Sequence, residues 1–105
     1  MMTDDVSQQL AQLEQSLEHY GMQKKQFHSQ LVEAEAALDA LDPKSGEAFR
    51  VIGNLMVKQP ADKLVRELSE RKETLKVRLE TIEQQEGKIR QQLKDLQGRA
   101  TNEEK

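Results

Sequence analysis

Apolar residues step along the first forty positions by alternate fours and threes. Val6, Leu10, Leu13, Leu17, Tyr20, Lys24, Phe27, Leu31, Ala34, Leu38 and Leu41 keep this rhythm without a slip. An a/d heptad stripe of this length is the pattern of a coiled-coil seam, and Lys24 is its one polar member. The stripe stops at Asp42-Pro43, because a proline disfavours helix at the residue before it, and Lys44-Ser45-Gly46 continues as a turn. The last third of the chain repeats the device. Leu68, Leu75, Ile82, Ile89 and Leu96 recur every seven residues, with a companion line at Lys72, Leu79, Glu86, Leu93 and Ala100. Lys72 and Glu86 stand where apolar residues belong, although their alkyl stems can cover part of a seam. Asp62-Arg66, Glu67-Arg71 and Glu86-Arg90 are acid-then-base pairs four apart, each adding a few tenths of a kcal/mol.

Between the stripes lies AFRVIGNLMVKQP, residues 48–60, where Phe49, Val51, Ile52, Leu55, Met56 and Val57 crowd around Gly53-Asn54. A two-residue loop with glycine first suits a type II′ hairpin turn, pairing Ile52 with Leu55 and Val51 with Met56. Strand alternation puts Phe49, Val51 and Met56 on one face and Ile52, Leu55 and Val57 on the other. A lone two-stranded ribbon is marginal in water, and one with two apolar faces and open edges calls for partner strands. These six residues are therefore the expected assembly surface; packing against the chain's own helix ends is the alternative.

The pattern predicts a mainly α fold: a long antiparallel coiled-coil hairpin with a short β-hairpin between its two helices. Helix 1 is expected over about 4–41, the turn and hairpin over 42–60 and helix 2 over 62–100, all within a single domain spanning 1–105. Gly21, Gly87 and Gly98 fall inside the helices at about 1 kcal/mol each, and Gly87 and Gly98 point to a second helix that loosens toward its end.

Composition sharpens the picture. Only 35% of the 105 residues are hydrophobic and 33% are charged, which leaves little for a globular core. There is no cysteine, hence no disulfide framework and no thiolate metal site. No 18-residue apolar run exists, and MMTDDVSQQ lacks the features of a signal peptide, so a cytoplasmic protein is expected. Residues 1–41 carry seven acids against two lysines (−5) and residues 61–105 eleven bases against ten acids (+1). That is mild complementarity between two pairing halves, and no concentrated basic face for nucleic acid. His19 and His28 stand nine apart without cysteine neighbours and read as solvated or seam-flanking rather than as metal ligands. Glu83 and Glu86 read as helix-surface acids. With no nucleophile motif or phosphate loop, neither an enzyme nor a cofactor is expected. Lys24 in the seam either sets register or reaches out to water by its stem.

With those residues in place, the chain resembles a β-class subunit of prefoldin, the archaeal and eukaryotic co-chaperone. The resemblance is carried by residues 49–97, above all VIGNLMVKQ and ERKETLKVRLETIEQQE. Pro60 stands where the family commonly has a charge, and Gly87 is a second departure. The resemblance implies a hexamer of two α-class and four β-class subunits, built on the hairpins. It also implies ATP-independent capture of unfolded clients at the coiled-coil tips and delivery to a group II chaperonin. On this chain the expected client-binding residues are Met1, Met2, Val6, Leu10, Leu13, Leu93, Leu96 and Ala100, which an antiparallel pairing brings near one another at fraying helix ends. The same leucines also read as plain seam. Lys94, Arg99 and Lys105 are the expected chaperonin contacts, or ordinary solvated charges. The rival reading is a coiled-coil scaffold or adaptor that dimerises through its heptads.

Overall fold

The computed structural model describes residues 2–103, with the side chains of residues 2–4 and 100–103 left aside. Its elements run α1 (Met2–Ala40), β1 (Glu47–Ile52), β2 (Leu55–Pro60) and α2 (Ala61–Glu103). Two long helices with an antiparallel two-stranded sheet between them are the expected architecture. The helix bounds differ from the expected ones by one to three residues at each end. α2 continues unbroken through Gly87 and Gly98 to Glu103, so the expected loosening does not interrupt the helix.

Local chemistry explains the stops and starts. α1 ends just before Asp42-Pro43, with the Leu41 N–H still reaching the Ala37 and Leu38 carbonyls at 3.1 and 3.3 Å. Asp42 then organises the turn: its carboxylate accepts from the Lys44 N–H at 2.9 Å. Its carbonyl accepts from the Ser45 N–H at 3.0 Å and the Ser45 hydroxyl at 2.8 Å. Gly46 takes a φ of 85°, left-handed backbone that a side chain resists, and its carbonyl accepts from the Ala61 N–H at 3.3 Å. That bond ties the entry of the hairpin to the start of α2. Asp62 lies in the first turn of α2, its carboxylate accepting from the Lys63 N–H, where the helix dipole favours a negative charge.

The strands pair in the register Glu47↔Pro60 to Ile52↔Leu55, with Val51 opposite Met56 as the turn chemistry requires. Gly53 has φ 59° and Asn54 a negative φ, the signs of a type II′ turn.

The chain forms two compact units. One is Phe27–Arg78, carrying the hairpin. In it Ala48, at the root of β1, is buried with Ala61 and Leu64 against Leu41 and Leu68. Leu31, Ala34 and Leu75 are also buried, and the Arg78 guanidinium lies 5.7 Å from the centre of the Phe27 ring. The other unit joins the described residues up to Gln26 to those from Leu79 onward. There Leu79, Ile82, Glu86 and Ile89 are buried on α2, and Lys24 of α1 meets Glu86. In both units low numbers on α1 face high numbers on α2, so the helices run antiparallel. Every described member of both heptad lines is buried or half-buried.

Gly53 holds a conformation that costs an L-residue about 1–2 kcal/mol. Gly53→Ala is therefore expected to lower stability by that amount, read as a reduced urea midpoint with an unchanged slope.

Candidate functional site: an uncovered hairpin and an open helix end

The hairpin emerges from a well-packed root. Beyond Ala48 its apolar side chains meet water on both faces. Val51, Leu55 and Met56 are 68%, 67% and 69% exposed, and Phe49, Ile52 and Val57 are exposed as well. Soluble monomers rarely leave so contiguous an apolar patch open without a partner for it. Charges frame this surface. Lys58 pairs with Glu47 across the strands at 3.0 Å, and Arg50 reaches Glu67 on α2 at 3.7 Å. Arg50 and Glu67 also line a cleft of about 500 Å³ between hairpin and helices, floored by Ala37, Leu64 and Leu68 and flanked by Phe49 and Val51. The Arg50–Glu67 contact was not visible in the sequence, where Glu67 reads as the partner of Arg71.

In the other unit the seam thins outward. Among the described side chains, none of α1 up to Gln30 is buried, and none of α2 beyond Ile89. Val6, Leu10, Leu13, Leu93 and Leu96 are all half-buried. Leu13 and Leu96 come together in one cleft of about 360 Å³, whose remaining walls are Gln9, Gln12, Ser16 and Gln92. No lining residue carries a formal charge. Lys94 and Arg99 are exposed. Met1 and Lys105 lie outside the described residues, as do the side chains of Met2 and Ala100.

Two of the polar seam positions turn out to be a single feature. Lys24 donates from Nζ to Glu86 Oε1 at 3.0 Å, and Arg90 stands 3.8 Å from the other carboxylate oxygen. Glu86 is 3% exposed, so it is a seam residue and not the surface acid that its local sequence suggests; Glu83 is the exposed one. A buried carboxylate needs such a partner, since its desolvation costs several kcal/mol otherwise. Part of the signal was present: Lys24 is the one polar member of its stripe, and Glu86 is the one acid on a line whose other polar member is Lys72.

His19 packs beside Tyr20, ring centres 6.1 Å apart, and His28 is exposed. Among the described residues no group of three or more His, Asp or Glu is placed to hold a metal ion, and no helix is long and apolar enough to cross a membrane.

Taken together, this is a coiled-coil protein with an uncovered β-hairpin and a loosely sealed helix end. Comparison with known proteins gives the class a family. The family model described as prefoldin subunit matches residues 5–102. The prefoldin subunit β of Thermococcus kodakarensis is 40% identical over 90 residues, covering 84% of this chain and 77% of the relative. That of Archaeoglobus fulgidus is 33% identical over 96 residues, covering 90% and 83%. The crystal structure of the prefoldin β subunit from Thermococcus strain KS-1 superposes with a TM-score of 0.80 at 35% identity, covering 93% of this chain and 88% of that one. The chain belongs to the prefoldin family of chaperone subunits, in its β class.

The thinning seam has a measurable consequence. Amides around Leu93–Leu96 are expected to exchange with deuterium at least tenfold faster than those around Leu79–Ile89, a difference of about 1.4 kcal/mol in local opening. Equal protection along α2 would mean that the outer turns are as firmly closed as the inner ones.

Proposed function

We propose that this chain works as the β subunit of an ATP-independent chaperone that holds unfolded proteins at its open helix ends and passes them to a group II chaperonin. Four copies join two α-class subunits through their hairpins, in the cytoplasm, and the whole chain acts as one functional domain. The observation that carries the reading is the hairpin exposed on both faces, in a chain of the prefoldin β class. Six large apolar side chains are left 36% to 69% exposed in their own unit, and strands from neighbouring subunits satisfy both the faces and the open edges.

Client holding rests on the outer ends of the helices. Val6, Leu10, Leu13, Leu93 and Leu96 are half-buried, so each presents apolar surface without forming a continuous exposed patch. Met1, Met2 and Ala100 belong to the same end by sequence. Weak contacts at several ends of one assembly then add up through effective concentration, and a tight single site is unnecessary. Lys94, Arg99 and Lys105 supply positive charge for an acidic chaperonin surface.

Two experiments separate assembly from client holding. Replacing Val6, Leu10, Leu93 and Leu96 with serine is expected to weaken protection of an aggregating client severalfold while leaving the assembly's size unchanged. Full protection by that variant would remove the helix ends from the mechanism. Ile52→Asp with Val57→Asp is expected to reduce the assembly to monomers on sizing chromatography with helicity retained. An intact assembly would remove the hairpin from it.

A further inference from the structure

The seam contains one layer that the apolar pattern does not account for. On α1 the line through Lys24 reads Leu10, Leu17, Lys24, Leu31 and Leu38; on α2 the line through Glu86 reads Lys72, Leu79, Glu86, Leu93 and Ala100. Sliding one helix past the other by a heptad, about 10 Å at 1.5 Å per residue, lays each seven-residue line back on itself, so apolar positions still meet apolar ones wherever Lys24, Lys72 and Glu86 are not involved. Hydrophobic burial therefore discriminates poorly between the two alignments. The charged layer does discriminate. A slip sets Lys24 against Leu79 or Leu93 and sets the carboxylate of Glu86 against Leu17 or Leu31, with no ammonium to meet it. In the observed alignment Glu86 keeps its 3.0 Å contact to Lys24 while its side chain is only 5% exposed. Arg90 is near, at 3.8 Å, but it sits four residues along the same helix and carries no information about where α1 lies.

We propose that Lys24 and Glu86 are positioning residues that lock the antiparallel helices in one register, and so decide which residues meet at the outer end, Leu13 beside Leu96 among them. A buried ion pair is a weak source of net stability, and its replacement by apolar residues of similar size is often neutral or stabilising. Polar residues at seam positions are a known means of specifying alignment at that expense. The stability and register consequences of removing the pair thus point in opposite directions, which makes the proposal separable from a plain structural role.

The chain has no cysteine, so Gln12→Cys with Gln92→Cys, both exposed in the shared cleft, gives two specific spin-label sites on the full-length protein. Pulsed electron–electron resonance is expected to give one distance population in the parent. Lys24→Leu/Glu86→Leu is expected to add a second population from helices slipped by about 10 Å, with a Tm no lower than the parent's. Lys24→Leu alone is expected to lower Tm by several degrees, because it strands Glu86. Exchanging the charges in Lys24→Glu/Glu86→Lys is expected to restore the single population, and Arg90→Gln to leave it untouched. A single, unshifted distance in the double leucine variant would overturn the proposal and assign register to the hairpin connection alone. So would a second population in Arg90→Gln.

Discussion

Everything in this chain follows from how little apolar surface it has and how that surface is distributed. Each helix commits one narrow stripe to the other, and the stripes consume most of the leucines and isoleucines. What remains is concentrated in a dozen residues of hairpin, where the helices offer a footing only to Ala48. A ribbon two strands wide has two faces and two edges, and a pair of helices can seal at most a corner of it. The exposure of Val51, Leu55 and Met56 is thus a geometric necessity of the fold rather than a local defect.

The turn that delivers the ribbon is built from inexpensive local parts. Pro43 ends α1, Asp42 gathers the Lys44 and Ser45 donors, Gly46 takes left-handed backbone, and its carbonyl meets the first amide of α2. With Gly53 reversing the chain at the far end, each backbone constraint is met by the one residue type suited to it. The strands are consequently presented in a defined register even though almost nothing covers them.

Along the helices the quality of the seam changes, and that change separates a structural stretch from a candidate working one. Near Leu75, Leu79, Ile82 and Ile89 the side chains are buried; further out the same repeat yields only half-buried positions. The repeat itself is unchanged, so the difference comes from what stands opposite and beside each residue. Gln9, Gln12, Ser16 and Gln92 surround Leu13 and Leu96 with neutral polar groups that neither close over them nor repel an apolar segment.

The periodicity, the turn type and the stop at Asp42-Pro43 were legible in the sequence because each depends on residues within a few positions of one another. A 3.5-residue repeat, a glycine at positive φ and a proline block are local constraints, and they specified both helices, the strand pairing and the apolar faces of the hairpin. Pairings across the chain were not legible. Glu86 reads both as a break in the α2 stripe and as a surface acid beside Glu83, and Lys24 as the one polar member of its own stripe, with nothing local to join the two; Glu67 reads as a partner for Arg71. Only the tertiary structure sets the alignment of α1 against α2, which brings residues 62 positions apart within 3.0 Å. It likewise brings Arg50 of the ribbon to 3.7 Å from Glu67. Local pattern says which side of a helix is buried; where along its partner that side comes to rest is a long-range choice, made when the two stripes close on each other.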